Sequence, residues 1–510
     1  MLRKKIKKYT SKSKRVLAET VRRIKNPDKY LPLSFWVDYL KGEDFSLNDA
    51  AKLLPDIIIS EFVTPGTWYF HKNCACLIQA GEKDAENADA AMKKGAAILI
   101  TYKSFKDYPC IISSNPLAIF AKICRYYRNL HKKVSVTSVC GSIGKTTIKN
   151  MIGEVYKKQF TTYYTETTFN AMFVAAFTAQ HIPKNAEMLV QEVNEDEPGE
   201  TQYESEMLNS DLYVMATIDK SHFSHFGSVD GIVEEICSFT RNMSEAGSVV
   251  VNVDEFSRFD LLNGRKVISI STKGEDADFF AKDICVSEDG LHYVVVDRGT
   301  GNRYPVHMNG IYAEHNVICA LYAFAAGMFQ KMDPRKIVEG LEGYHPKGIR
   351  QNVLRTDDGI VLYVDCYNAV GRSMKSAISA SDRIPVKGRR VAVLGDIEDV
   401  GEISAEMHND VIHAVNDSKF DMLLTIGEKM RAATSSVVCR DTLIIRNYSN
   451  LDELAAAVRQ EVKSGDLVLF KASHASHLEK CILKIWPQYT KDFGVYAGLF
   501  HKWRDMSLFN

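Results

Sequence analysis

The stretch "KVSVTSVCGSIGKTTIKN", residues 133 to 150, constrains this chain more than any other. A β-rich alternating run leads directly into two glycines and Lys-Thr-Thr. Ile148, Met151, Ile152, Val155 and Tyr156 then recur at helical spacing. The unit reads as strand, Gly-rich loop, helix. Gly141 and Gly144 let the backbone approach phosphate oxygens closely, and the helix start offers N–H groups and the positive end of its dipole. In that setting Lys145 bridges β- and γ-phosphates as a point charge, and Thr146 holds Mg²⁺ through its hydroxyl. Ser142 and Thr147 complete the nucleotide-binding set. The usual phosphate-loop pattern has an earlier glycine, and its place is taken by Val139. A plain Gly-rich helix cap is the alternative, but it does not account for Lys-Thr-Thr at this point.

Strands alternate with helices elsewhere too. "AEMLVQEV", "DLYVMATI" and "AGSVVVNV" read as strands, and "HNVICALYAFAAGMF" as an apolar helix, which implies a largely parallel sheet. Past "GYHPKGIRQNV" the rhythm restarts with "GIVLYVDCYN", "RRVAVLGDI", "DMLLTIG" and "DLVLFKAS", a second doubly wound unit. Asp365, Asp396 and Lys471 sit at the C-terminal ends of such strands, where open α/β sheets bind ligands. Asp365 and Asp396 also suit helix capping. Before residue 131, "AAMKKGAAILITY" and "NPLAIFAKICRYYRNL" indicate a small α/β domain. The aromatic-rich segment from about residue 486 has no clear assignment.

The 510 residues suggest three domains, and 64 basic against 64 acidic residues give no global bias toward nucleic acid. No apolar run is long enough to span a bilayer, and the N-terminus lacks the apolar core of a secretory signal. The 11 cysteines form no Cys-x-x-Cys pair, so reduced thiols in a cytoplasmic protein are expected, and Cys74 and Cys76 read as strand core. The first 26 residues carry one acid, Glu19, among many Lys and Arg. They form a solvated basic extension, or else a peripheral contact with the anionic inner face of a membrane.

The compact loop Gly-x-x-Gly-Lys-Thr-Thr resembles that of the Mur ligases, and further stretches agree in order. "QEVNEDEPGE" is similar to the strand end that carries a metal-binding Glu, here Glu192. "KSHFSHFGSVDG" is similar to the loop whose His binds a second metal, here His222. "EHNVICALYA" resembles the helix whose Asn meets adenine, here Asn316. "GIRQNV", "VDCYNAVGRSM" and "LGDIEDVGEISAEMH" resemble the start of the third domain in the D-alanyl-D-alanine-adding, or MurF, branch. "FKASHASHLEK" resembles its last strand and loop. The resemblance implies an α/β fold of three domains, with a central phosphate-loop domain on a parallel sheet and a C-terminal Rossmann-like domain. Its expected bounds are a basic extension over 1–30, a substrate-handle domain over 31–131, the ATP domain over 132–345, the ligase domain over 346–485 and a tail over 486–510.

The resemblance also implies the reaction. ATP with Mg²⁺ phosphorylates a carboxylate, and an amine or amino acid attacks the acyl phosphate to form an amide. The acid would be a nucleotide-linked sugar peptide or a sugar acid, for cell-wall or surface-polysaccharide assembly. Lys145, Glu192, His222 and Arg350 carry catalysis, with Thr146, Glu192 and His222 on metal. Asn316, Arg350 and Asp365 contact nucleotide or phosphate. Asn170, Asn368, Lys471 and Ser473 are the substrate candidates.

Several positions depart from that pattern. Ile236 stands where a carbamylated Lys bridges metals in the family; either Glu234 or Glu235 just before it supplies the missing carboxylate, or one well-held metal suffices, or both acids lie on a solvated helix face. Asn170 is followed by Ala171 and Met172 rather than Asn-Glu. Cys319 replaces a second Asn, Asp196-Glu197 an Asn-His pair, and His474 an Arg. The changes spare the ATP loop and touch the acceptor side. They motivate a second reading, a catalytically silent ATP-binding scaffold docked to a membrane assembly. A phosphate-loop kinase or GTPase is a third, but no Asn-Lys-x-Asp motif appears and the third domain would go unexplained.

Overall fold

The computed structural model describes residues 30–65, 70, 72–164, 172–219, 223–398, 400–494 and 496. The chain divides into two compact units. The first comprises Met1–Val134, Asn170–Lys184 and Gln202–Asn209, and the second comprises Ser135–Phe169, Asn185–Thr201 and Ser210–Asn510. His222 and Asn170 lie outside the described residues, as do nearly all of the basic N-terminal extension and the chain after residue 496.

The first unit holds a five-stranded sheet in the order Ser46–Leu47, Cys110–Ile112, Ile98–Thr101, Ala75–Leu77, Phe62–Val63, parallel except for its first pair. Asp84–Lys94 is a helix that ends at Gly95, whose φ of 102° releases the chain into the strand Ile98–Thr101, as the sequence indicates. Helix Pro116–Asn129 starts with Pro at its head and the Asn115 side chain accepting from Ala118 N–H. Leu117, Phe120, Cys124 and Tyr127 recur on one face and are all buried. Cys74 and Cys76 are core residues, fully buried.

The second unit contains two sheets. The larger has nine strands in the order Arg303–Asn309, Gly290–Asp297, Phe279–Val286, Lys266–Ser271, Ser248–Asn252, Leu212–Met215, Ser135–Cys140, Met188–Glu192, Thr162–Tyr164. From Phe279–Val286 inward the pairs are parallel, while the last three strands in chain order form an antiparallel meander. The parallel part agrees with the pattern read from sequence; the meander was not anticipated. Helices Lys145–Lys157 and Asn316–Phe329 pack together over it, burying Ile148, Met151, Ile152, Val155 and Tyr156, the residues whose spacing announced the first helix.

The smaller sheet has six strands in the order Asn352–Arg355, Val361–Asp365, Leu467–Lys471, Arg390–Gly395, Met422–Ile426, Ile444–Tyr448, parallel except for the first pair. Trp486 and Phe493, from the segment beyond residue 485, are buried in its core beside Phe470. This segment, unassigned from the sequence, is part of that layer up to Phe493. Among the described residues, no helix is long and apolar enough to cross a membrane.

Candidate functional site

Parallel pairing places the ends of three central strands side by side. Glu192 lies opposite Val139, and Met215 opposite Cys140. The chain leaving Cys140 turns at Gly141, with φ 134°; a Cβ there would come within 2.8 Å of the Ala216 carbonyl oxygen. Only glycine fits so close to the neighbouring strand. Gly144, with φ 90°, then opens the helix, and no side chain caps its first turn. The Ser142 and Ile143 amides donate to the Thr217 carbonyl, and the Ser142 hydroxyl donates to that of Asp219 at 3.0 Å.

The helix start carries the reactive side chains. The Thr146 hydroxyl donates to Glu192 at 2.9 Å, and Lys149, fully buried one turn on, stands 3.4 Å from the same carboxylate. A hydroxyl beside a buried carboxylate is a hard oxygen donor pair of the kind Mg²⁺ takes, so these residues fit the expected ion. Lys145 makes a buried ion pair with Glu195, a residue the sequence reading passed over. Burial pushes the Glu195 carboxyl up to about 7, with Lys145 pulling the other way. Burial is the largest influence on Lys145 and opposes its charge, but Glu195, Cys140 and Glu192 together outweigh it and the ammonium stays above its usual range. Thr147 is buried beside them. His225 donates its Nδ1–H to the Asp196 carbonyl at 2.7 Å, which ties the short helix Phe223–Phe226 to the loop after Glu192.

Glu234 and Glu235 do not face this loop in the same way. Glu235 is buried and accepts from the Gly199 and Thr201 amides at 2.7 and 2.8 Å, while Glu234 is exposed. Ile236 is fully buried, and its carbonyl accepts from the Tyr213 hydroxyl at 2.9 Å. The carboxylate that meets Lys145 is Glu195.

A second cluster gathers where the two sheets of this unit meet. Asn316, at the head of its helix, donates to the Ala313 carbonyl and to Gln351 at 3.1 and 3.0 Å, leaving its buried Oδ1 without a partner among the described residues. That oxygen is suited to receive an amino group. Gln351 adopts φ 49°, donates its amide to Asp365 at 3.2 Å and contacts His315. Burial lowers His315 to about 4, so the ring is neutral. Arg350 lays its guanidinium 4.1 Å over the Tyr367 ring, and its buried Nε has no partner among the described residues. Tyr344 links this cluster to the loop: burial raises its phenol most, and Cys319, Thr147 and Arg350 all act on it. Cys319 also packs under the loop, 3.6 Å from where a Gly144 Cβ would stand.

The remaining candidates divide. Lys471 is buried and ion-paired with Asp365 at 2.7 Å, and it donates to the Asn368 carbonyl at 3.0 Å, so it ties two strand ends together. The Ser473 hydroxyl accepts from the Glu398 amide, and Asn368 is exposed. Asp396 accepts from the Met430 amide at 2.8 Å at the start of the helix Glu428–Ser436, and not from the helix Ser404–Asn416 that follows it in the chain, so the cap expected from sequence falls on a different helix. Glu195, Lys149, Gln351 and His315 lie within the quoted stretches but are not singled out by their type, and only the folded geometry brings them into the site.

Comparison with known proteins identifies the family and the fold. The Mur ligase middle domain matches residues 139–327, and the Mur ligase, glutamate ligase domain matches 349–474. The UDP-N-acetylmuramoyl-tripeptide--D-alanyl-D-alanine ligase of Bacillus subtilis (strain 168) is 29% identical over 402 residues, covering 77% of this chain and 86% of that protein. The ligase of the same name from Escherichia coli (strain K12) is 24% identical over 385 residues, covering 74% and 84%. Among solved structures, MurF from Acinetobacter baumannii superimposes with TM-score 0.75 at 20% identity, covering 89% of this chain and 98% of that one. MurF from Thermotoga maritima, in complex with ADP, does so with TM-score 0.69 at 20% identity, covering 84% and 98%.

Proposed function

This chain belongs to the Mur ligase family and is an ATP-dependent ligase that forms amide bonds, and from that premise we propose that it activates an acid as an acyl phosphate at the Lys145 loop. The observation that carries the reading is the convergence of Lys145, Thr146 and Glu192 at one helix start. A carboxylate is a poor electrophile at neutral pH. Transfer of the γ-phosphoryl group to one of its oxygens releases ADP and creates a leaving group. The amine nitrogen then attacks the acyl carbon, the C–O bond to phosphate breaks, and the amine's proton is lost, leaving an amide and free phosphate.

The chain's own residues serve these steps. Lys145 neutralises charge on the phosphate oxygens once Glu195 gives it up. Thr146 and Glu192 would hold Mg²⁺, with His222 as a further ligand, and the ion when bound supplies charge neutralisation on the phosphates. Asn316 offers Oδ1 to the adenine amino group. Arg350, pre-set by its stack on Tyr367, meets phosphate from the C-terminal sheet, with Asp365 orienting the backbone through Gln351. Lys471 and Ser473 position strand ends and the 396–398 loop, and the exposed Asn368 is the candidate substrate contact.

The acid we propose is a nucleotide-linked sugar peptide, and the amine D-alanyl-D-alanine, as in the names of the B. subtilis and E. coli relatives. The silent-scaffold alternative is not favoured, because the relatives that match most of the chain are named as ligases. The test is phosphate release from ATP and Mg²⁺ with UDP-N-acetylmuramoyl-tripeptide and D-alanyl-D-alanine, with product mass measured alongside. Release that needs both substrates and vanishes in Lys145→Ala supports the proposal. Nucleotide binding with no release in the presence of both acid and amine would refute this substrate pair.

A further inference from the structure

Beyond the strand Leu467–Lys471 the chain makes one short turn over His474–Ser476, passes His477 and enters the helix Leu478–Ile485. His477 takes φ 50°, which folds its ring back toward Glu479. His477 Nδ1 lies 3.1 Å and His474 Nε2 3.6 Å from the same oxygen, Glu479 Oε1. The imidazoles stand 5.3 Å apart and nearly edge to face. Their side chains are 37% and 42% exposed, whereas that of Glu479 is 0% exposed. Glu479 Oε2 is buried with no hydrogen-bond partner among the described residues.

A buried carboxylate with one oxygen unpaired is costly unless a positive charge meets it. Here two imidazole nitrogens and that carboxylate converge from one side, and the histidine edge is open to solvent. Donors about 2.0–2.2 Å from a tetrahedral Zn²⁺ sit roughly 3.3–3.6 Å from each other. The observed separations of 3.1 and 3.6 Å fall about that value. Two neutral imidazoles with one carboxylate also form the borderline-soft donor set that Zn²⁺ selects over Mg²⁺.

We propose that His474, His477 and Glu479 bind a zinc-class divalent cation, distinct from the ion expected at Thr146 and Glu192, with water completing its coordination. His474 Nε2 also faces the Tyr496 carbonyl at 3.2 Å, a contact the metal would replace. The His474 ring stacks on Tyr367 at 5.3 Å, and Tyr367 carries Arg350. A cation at this point holds the His474 ring in place and thereby steadies the platform for Arg350. Its role is to position, and it touches no reacting atom.

A second histidine pair gives an internal control. His292 and His307 stack at 4.1 Å beside an exposed Asp289, but each reaches a different oxygen of it, and Ser287 already bonds His292. The buried atom without a hydrogen-bond partner among the described residues there is His307 Nε2, whereas the carboxylate of Asp289 is exposed and has no buried, unpaired oxygen to satisfy.

The test is titration of the full-length protein, without nucleotide, with Co²⁺ as a visible probe and Zn²⁺ as competitor. The expected result is one Co²⁺ per chain with the intense visible absorption of four-coordinate cobalt, displaced by Zn²⁺ and not by Mg²⁺. His474→Ala with His477→Ala, both at exposed side chains, weakens binding by more than about tenfold. His292→Ala with His307→Ala leaves it unchanged. Absence of that absorption in the unaltered protein overturns the proposal, as does its survival in the His474→Ala, His477→Ala protein. Zn²⁺ is also expected to raise the Tm of the unaltered protein and not of that double variant.

Discussion

Replacing Glu195 by Gln tests how the phosphate loop is held before nucleotide arrives. Lys145 and Glu195 have side-chain exposures of 11% and 1%, so solvent screens their pairing little. Burial lifts the carboxyl from 4.5 to about 7, ahead of the opposing pull of Lys145. A change of that size corresponds to about 3 kcal/mol between its two protonation states. The sign follows from the direction. The folded value lies above the unfolded one, so the protonated form's contribution to stability is complete below 4.5 and is lost as pH rises through about 7. A γ-phosphate brought to Lys145 adds negative charge beside Glu195, with Glu192 and Asp196 also near. Above neutral pH, nucleotide binding therefore takes up a proton at Glu195, and affinity falls by up to about tenfold per pH unit. Glu195→Gln keeps the shape, removes the competing charge and cannot titrate. Calorimetry with a non-hydrolysable ATP analogue at pH 6, 7 and 8 reads the effect, and the variant controls for the nucleotide's own titration. The expected outcome is a variant that binds roughly tenfold more tightly than the parent at pH 8 and has a flatter pH profile. A variant that binds more weakly at pH 8, with the parent's slope, would refute the reasoning and make Glu195 a group that assists the bound nucleotide.

Three further substitutions probe separate parts. Lys471→Met leaves Asp365 without its buried cation and is expected to cost about 3–5 kcal/mol in urea unfolding, since the partner charge stays behind. Glu235→Ala strands the Gly199 and Thr201 amides and should cost roughly 1–3 kcal/mol, with ATP-analogue affinity unchanged because Glu235 does not face Lys145. Arg350→Ala removes the guanidinium from the Tyr367 face, and steady-state assay should show kcat reduced by about a hundredfold or more with the fold intact by circular dichroism.

The phosphate loop was legible because its signal is local. Two glycines, a lysine and two threonines lie within the seven residues 141–147, and the apolar spacing after them is that of a helix. The same holds for the strands ending at Glu192, Asp365 and Lys471. Glu195 was not legible because its meeting with Lys145 depends on the register that sets Glu192 opposite Val139, and on the turn that follows. The antiparallel meander escaped notice for a different reason. Strand Phe279–Val286 starts as an apolar run, shifts register between Lys282 and Cys285, and has Asp283 at φ 54°, so no single period runs through it. Gln351 is an ordinary residue by type and acquires its place through a left-handed backbone turn. Trp486 and Phe493 read as an unplaced aromatic segment because their partner, Phe470, lies on a strand well before them.

The measurement that tests the central claim most directly follows one oxygen atom. The tripeptide acid is labelled with ¹⁸O in its terminal carboxylate and incubated with ATP, Mg²⁺, D-alanyl-D-alanine and the purified protein, and the mass of the released phosphate is determined. Activation through an acyl phosphate predicts that each phosphate carries one carboxylate oxygen, in step with amide formed. Phosphate released without label would contradict the account, because water, rather than the acid, would then have taken the γ-phosphoryl group.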